Sequence, residues 1–333
     1  MKIEHRDAWS SVISQSMQEN KVFGLAMSLI SQGTVILTST HGITNSISQE
    51  EVQLQTKFEA ASLTKPVFAY LILLLRDHGK IDLDVPVADY LPDYEISQDS
   101  RYKQITPRIV LSHGSGFANW SKKPVTIHFD PGSRFQYSGE AYFYLQKAVE
   151  RITGVGLEEL IQEYIFEPLQ MNHSAMVRTE LVNEQLSFTF DKDGQREPKR
   201  NLTNSSGNTD PNAAYSLYTT IEDYTRFLLN LMDQKILPLH QSSFNEMIQV
   251  QNTFNQEVFW GLGWGIYKKE EKLLWHWGDN GGFKALVCLC LETKSGVLIF
   301  TNSFNGLQVC FDTASLVTGV DFTPIQKFIA SKH

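Results

Sequence analysis

Residues 58–76 read FEAASLTKPVFAYLILLLR, and from Val67 to Leu75 nearly every side chain is apolar. A helix apolar all round is a buried helix, and a run this short does not span a bilayer. The stretch therefore reads as a core helix. Pro66 has no N–H to donate and fixes its own φ, so it belongs to the first turn and sets the helix start within a few residues before it. Ser62 and Lys65 then sit at that start. Residues three apart share a face in an α-helix and eclipse in a 3₁₀ turn, so either geometry brings the lysine amine to the serine hydroxyl. Unsatisfied N–H groups and the positive dipole end favour negative charge at the same place. The pattern is that of an activated serine. An ordinary serine N-cap is the plain alternative, because Ser-x-x-Lys arises about once by chance in a chain of this length.

Composition narrows the function class. With 333 residues, 42% of them hydrophobic and 20% charged, the chain is that of a globular protein of one large domain or two lobes. Its 29 basic and 37 acidic residues give a net charge of −8 with no basic block, which argues against nucleic acid and anionic membrane as partners. Cys288 and Cys290 alternate within an apolar run, so they point to one face of a strand, and with Cys310 they make an odd set. Buried free thiols and a reducing compartment are expected. No histidine pair stands near them at zinc spacing, so no metal is expected. Residues 1–17 lack an apolar signal core and no run approaches a membrane span, so a cytoplasmic location is expected.

Outward from the central helix, Trp9, Val12, Ile13 and Met17 recur at helical spacing within residues 6–20. Val22–Ile30 and Val35–Thr38 flank a Gln32-Gly33 turn as a hairpin. Gly79 stops the central helix, and Thr106-Pro107 caps and opens another that runs to His113. His113 reads first as a hydrogen-bonded structural residue, with a catalytic role as the alternative. A helix from Ala141 ends at Gly154, so Tyr137 lies in the short connection before it. Leu157–Ile165 forms a further helix. Residues 184–212 read as a long polar surface excursion, and Thr219 with Glu222 as a capping box for a helix through Leu231. LLWHWG, ALVCLCLE and GVLIFTNS, at 273–278, 285–292 and 296–303, are three β-runs, followed by a last helical stretch from Leu307 to Leu316. Strands at both ends around a helix-rich middle must meet in one antiparallel sheet, since either set alone is marginal. Clefts form where an inserted lobe meets such a sheet.

Serine chemistry needs a nucleophile, a base and oxyanion donors. Ser62 and Lys65 supply the first two. Tyr137 shares the proton work if nearby positive charge lowers its pKa toward the phenolate. In His276-Trp277-Gly278-Asp279, at a strand end, glycine permits close approach of a substrate backbone, and an edge N–H there completes an oxyanion hole with that of Ser62.

These segments together carry a resemblance. GLAMSLI (24–30), SLTKP (62–66), LSHGSGF (111–117), DPGSRFQYSG (130–139), NAAYSLYTT (212–220), GLGW (261–264) and HWGDNGGF (276–283) follow in order over most of the chain. The chain resembles the serine β-lactamase, DD-peptidase and esterase superfamily with the S-x-x-K nucleophile. That resemblance implies an α+β fold of β-lactamase/transpeptidase type: one domain over 8–325, an α/β lobe from about 1–62 plus 250–333, and a helical lobe over about 63–249. It also implies that Ser62 is acylated, with Lys65 as proton partner and Tyr137 as general base of the Y-x-N element. His276 and Gly278 match the K-T-G or H-x-G strand, with the Asp279 N–H as second oxyanion donor. Two departures stand out. Gly139 replaces the asparagine that orients the lysine and grips a substrate amide, and His276 replaces the strand lysine, which weakens carboxylate binding because histidine is largely neutral at pH 7. Both lower the expectation of β-lactam hydrolysis. The expectation is an esterase-like serine hydrolase without cofactor, acting on a small ester, amide or short peptide. The alternatives are a D-amino-acid peptidase, a DD-carboxypeptidase or weak β-lactamase, and a non-catalytic binder of peptide or peptidoglycan.

Overall fold

A computed structural model describes residues 6–96, 99–199 and 209–331. In chain order the strands are β1 (Gly24–Ser31), β2 (Thr34–Asn45), β3 (Glu50–Glu51), β4 (Phe58–Ala61), β5 (Leu217–Thr219), β6 (Asn252–Thr253), β7 (Val258–Trp260), β8 (Gly265–Lys268), β9 (Lys272–Asn280), β10 (Phe283–Cys290) and β11 (Ser295–Thr301). The helices are α1 (Arg6–Glu19), α2 (Thr64–Asp77), α3 (Val87–Tyr90), α4 (Pro107–Leu111), α5 (Gly139–Thr153), α6 (Leu157–Ile161), α7 (Glu180–Gln185), α8 (Ile221–Asp233), α9 (Gln241–Ile248), α10 (Gly306–Thr318) and α11 (Thr323–Ala330). Among the described residues no helix is long and apolar enough to cross a membrane.

Nine strands form one antiparallel sheet in the order β3-β2-β1-β11-β10-β9-β8-β7-β6. The two chain ends meet at its centre, where β1 pairs with β11 from Leu25 opposite Thr301 to Ile30 opposite Gly296. Both faces are covered, which is why the central strands read as continuous apolar runs rather than alternating ones. Leu25, Met27 and Leu29 of β1 and Val297 and Ile299 of β11 pack with α1, α10 and α11, whereas Ala26, Ile30, Leu298 and Phe300 pack with α2 and α8. Cys288, Cys290 and Cys310 lie free and buried on the α10 side, the two strand thiols on one face.

Helix α2 is buried from Thr64 through Leu75. It ends where Gly79 takes a φ of 68° and donates to Arg76, a left-handed stop that needs glycine. Several local readings shift. Val12 is 45% exposed, so the inward face of α1 is carried by Trp9, Ile13 and Met17. Strand β2 continues to Asn45, and α11 follows the helix expected to be last. The reading of a helix over Leu157–Ile165 becomes α6 and a π-helical turn, Gln162–Phe166.

The cap of α8 is Thr220, whose hydroxyl accepts from Asp223 N; Thr219 belongs to β5. Asp223 is wholly buried because its carboxylate accepts from His173 N and Ser174 Oγ and pairs with Arg226. The stretch over 184–212 begins as core and not as surface: Leu186, Ser187 and Phe190 are buried, and Phe190 stacks on Phe23 at 4.2 Å. Phe188 N donates to Thr44 O and Phe190 N to Asn302 O, so this segment lies along the sheet, which its polar composition conceals. Residues 200–208 of that stretch lie outside the described residues.

Strand β4, which leads into Ser62, is held to the sheet by aromatic packing. Phe58 stacks on Phe300 at 5.7 Å and meets Phe283 edge-on at 6.3 Å, and Phe300 is also edge-on to Tyr224. Phe300→Ala should lower unfolding free energy by about 3–5 kcal/mol, the usual cost of emptying a buried aromatic site, read as a fall in the denaturant midpoint. A loss below about 1 kcal/mol would show that Phe300 is not part of a close-packed core.

Candidate active site

The turn between β4 and α2 presents Ser62. Ala61 has a φ of +50°, a left-handed conformation uncommon for a residue with a Cβ. Two ties hold that bend: Leu63 N donates to Ala60 O at 3.0 Å, and Thr64 Oγ1 donates to Ala61 O at 2.6 Å while accepting from Leu217 N. Leu63 occupies the N-cap of α2 and no side chain caps the helix. Ser62 is therefore not the ordinary cap of the plain alternative, and its hydroxyl is left for other partners.

Lys65 Nζ lies 3.1 Å from Ser62 Oγ, hydrogen-bonded to it, and donates to Ala214 O at 2.8 Å. The lysine is 2% exposed, and no carboxylate pairs with it among the described residues. Burial in apolar surroundings disfavours the charged form and holds its pKa well below the ordinary lysine value. An amine in this state has a lone pair to offer Ser62.

Tyr137 precedes the Ser138 cap of α5. Its ring lies 4.7 Å beneath Lys65 Nζ, packed between His113 at 4.3 Å and Trp277 at 4.8 Å. His113 holds the loop structurally: its Nδ1 accepts from Ser138 N at 3.1 Å, from a backbone with φ 57°. The expectation of a lowered Tyr137 pKa is reversed. Burial raises it, opposed only in part by the Ser62 hydroxyl. The phenol is protonated, and among the described residues its buried oxygen makes no hydrogen bond of ordinary geometry.

On β9, His276 is fully buried, with Nδ1 2.8 Å from Trp277 O, and burial above all lowers its pKa to about 3. It is neutral at pH 7, as expected of the strand histidine. A Cβ at Gly278 would lie 2.5 Å from Ala60 O, 3.0 Å from Ala285 Cβ and 3.2 Å from Ala61 Cβ, so the glycine admits the turn that carries Ser62. Asp279 pairs with the buried Lys284 at 2.5 Å, accepts from Gly281 N and lines the same cleft as Ser62.

The structure thus brings Ser62, Lys65, Tyr137, His276, Gly278 and Asp279 to one place. Two depressions flank Ser62. The larger, about 780 Å³, is bounded by Arg134, Gln136, Tyr137, Trp277 and Asp279. The smaller, about 430 Å³, is bounded by Lys65, Asn119, Trp120, Ala214 and Tyr215. Asn119, Trp120, Arg134, Ala214 and Tyr215 carry no spacing that marks them in sequence. Lys284 does: the Gly281-Gly282 turn sets it opposite Asp279 across the β9–β10 hairpin.

The model for the Beta-lactamase family matches residues 9–316 of the chain. The chain belongs to the beta-lactamase family. Family relatives include Protein flp of Staphylococcus aureus (strain MW2), 23% identical over 317 residues, covering 88% of this chain and 62% of that protein. Esterase EstB of Burkholderia gladioli is 26% identical over 221 residues, covering 57% of this chain and 55% of that one. The chain spans less than two thirds of the length of either. Among solved structures, the octameric penicillin-binding protein homologue from Pyrococcus abyssi superposes with a TM-score of 0.81 at 24% identity, covering 94% of this chain and 77% of that one. The fold is therefore the β-lactamase/transpeptidase-like one expected.

A buried lysine whose charged form is disfavoured burdens the fold. Between its lowered folded pKa and the ordinary value of 10.5, the unfolded chain binds a proton that the folded chain does not. Stability therefore rises with pH through that window and falls as the medium is acidified through it. Lys65→Met should raise the unfolding midpoint at pH 7 and flatten its pH dependence above neutrality, measured by denaturant titration at several pH values. A midpoint lowered at every pH would mean that the amine is favourably paired.

Proposed function

We infer that the protein is a serine hydrolase that cleaves esters through an acyl-enzyme on Ser62. The observation that carries this is the wholly buried Lys65 amine, 3.1 Å from the Ser62 hydroxyl and with no anionic partner among the described residues. Lys65 Nζ takes the Ser62 proton as Oγ bonds to the substrate carbonyl carbon. The negative oxygen is held by the Ser62 and Asp279 N–H groups. The C–O bond to the alcohol then breaks, and the alkoxide takes a proton from the Tyr137 hydroxyl, which is replenished from Lys65. Water adds to the acyl carbon by the reverse relay, the Oγ–C bond breaks, Ser62 recovers its proton and the acid is released. The net reaction is ester plus water to alcohol plus acid, and no cofactor enters it.

Neutral His276 favours this reading over a peptidase for D-amino-acid peptides, since a C-terminal carboxylate calls for a cation where that histidine stands. The peptidase reading has one observation of its own, the Arg134 side chain at the rim of the larger depression. The esterase in the name of the Burkholderia gladioli relative supports the ester reading.

Intact-protein mass spectrometry after mixing with p-nitrophenyl acetate should show one acetyl adduct on the wild type and none on Ser62→Ala, while a D-alanyl peptide gives neither adduct nor product. Equal labelling of both proteins removes Ser62 from the mechanism, and turnover of the peptide alone selects the peptidase. Tyr137→Phe should slow ester turnover by about 10² or more, the usual contribution of a positioned proton-transfer group. An unchanged rate would leave Lys65 without need of a relay.

A further inference from the structure

The two N–H groups that hold the oxyanion stand on strands that no ladder joins. Ser62 follows β4, which pairs with β5 in a separate two-stranded sheet, whereas Asp279 lies on β9 of the nine-stranded sheet. Strand β8 runs beside β9 only as far as Gly265 opposite Trp275. On that side, from His276 to Asn280, β9 has no paired strand among the described residues. The turn that carries Ser62 lies against it at Gly278, in van der Waals contact only. Backbone hydrogen bonds therefore do not set the spacing of the two donors, and side chains must.

One amide bridges the gap. Asn280, the residue after Asp279, donates from Nδ2 to Glu59 Oε2 at 2.7 Å and to Tyr215 O at 3.3 Å. Both partners are acceptors, which fixes the way the amide faces. Glu59 lies in β4, three residues before Ser62, and is 5% exposed, so its carboxylate is held where it stands by hydrogen bonds. Tyr215 follows Ala214, the residue whose carbonyl accepts from Lys65. The Asn280 side chain thus joins the strand of the second donor to the strand that leads into Ser62 and to the segment that receives the lysine. Asn280 is itself steadied by its hairpin. Asp279 Oδ1 accepts from Gly281 N at 3.0 Å and pairs with the buried Lys284, whose Nζ lies 4.7 Å from the centre of the Phe304 ring.

We propose that the Asn280–Glu59 hydrogen bond sets the spacing of the Ser62 and Asp279 N–H groups, so that Asn280 and Glu59 are positioning residues for the oxyanion site. This rests on the ester-hydrolase reading. The oxyanion exists only once Ser62 Oγ has bonded to the carbonyl carbon, so misplaced donors raise the barrier to reaction and leave ester binding almost untouched. A displacement of about 1 Å costs on the order of 10² in rate.

The test measures kcat and KM for p-nitrophenyl acetate on the wild type, Ser62→Ala, Asn280→Ala, Glu59→Ala and Glu59→Gln. Asn280→Ala and Glu59→Ala should each lower kcat about 10²-fold and move KM by no more than about twofold. Glu59→Gln keeps an acceptor oxygen and should restore most of the rate lost in Glu59→Ala. The double variant Asn280→Ala/Glu59→Ala should be no slower than the slower single one, because both substitutions remove the same bond. Asn280→Asp, which keeps the shape and removes the donor, should repeat the loss and replaces Asn280→Ala if that chain does not fold. Phenylboronic acid gives a readout without turnover: Ser62 Oγ adds to boron, its proton passes to Lys65, and a boron hydroxyl takes the place of the oxyanion. Its affinity should fall about tenfold in Asn280→Ala. Ser62-dependent turnover that neither Asn280→Ala nor Glu59→Ala slows overturns the proposal and leaves the hydrolase reading standing, as does a loss confined to KM, a loss that Glu59→Gln shares in full, or an unchanged boronate affinity. Equal turnover by the wild type and Ser62→Ala overturns the hydrolase reading, and the positioning role falls with it.

Discussion

The structure depends on a buried amine. Lys65 sits in the first turn of a helix surrounded by apolar side chains, and its only polar contacts among the described residues are the Ser62 hydroxyl and the Ala214 carbonyl. A charged ammonium there would need a counterion, and a buried lysine without one shifts toward the neutral form. Everything near the site follows from that. The helix must be apolar all round to keep water from the amine. The turn before it must bend through a left-handed Ala61 to aim Ser62 at the amine instead of capping the helix. Tyr137, buried beside the amine, stays a phenol because burial raises its pKa.

Glycine marks the other constraint. At both Gly278 and Gly139 the missing side chain admits part of the protein itself. The first lets the Ala60–Ala61 backbone close against β9 and bring Ser62 to the strand that carries Asp279. The second lets the Trp120 ring lie on the start of α5. A glycine beside a catalytic motif is commonly read as room for substrate. Here two of them fix the distance between elements that the chain brings together from residues 60, 120, 139 and 278.

Much of this was legible in the chain. The central helix announces itself by apolar continuity and Pro66, the terminal strands by their β-runs, and the site by Ser62, Lys65, Tyr137 and His276 in their order. What was illegible was non-local. The polar composition of 184–212 hides that Leu186 and Phe190 pack along the sheet, because only tertiary contact buries them. The Thr220 cap displaced Thr219 because β5 needed the latter for its pairing with Phe58. Trp120 follows a glycine-rich turn with no periodicity to flag it, and only the fold shows its ring lying against Gly139. The direction of the Tyr137 shift was missed because it depends on burial, which only the tertiary fold supplies.

The most direct test of the neutral lysine is the pH dependence of Ser62 acylation, followed as the single-turnover burst of p-nitrophenol from pH 4 to about 11. The account predicts a rate that falls on acidification through one ionisation lying well below 10.5 and is level through the ordinary lysine range, with that ionisation lost in Lys65→Met. A rate that keeps climbing until about pH 10.5, the ordinary value for a solvated lysine, would show that Lys65 is charged at neutral pH and that the hydroxyl is activated in some other way.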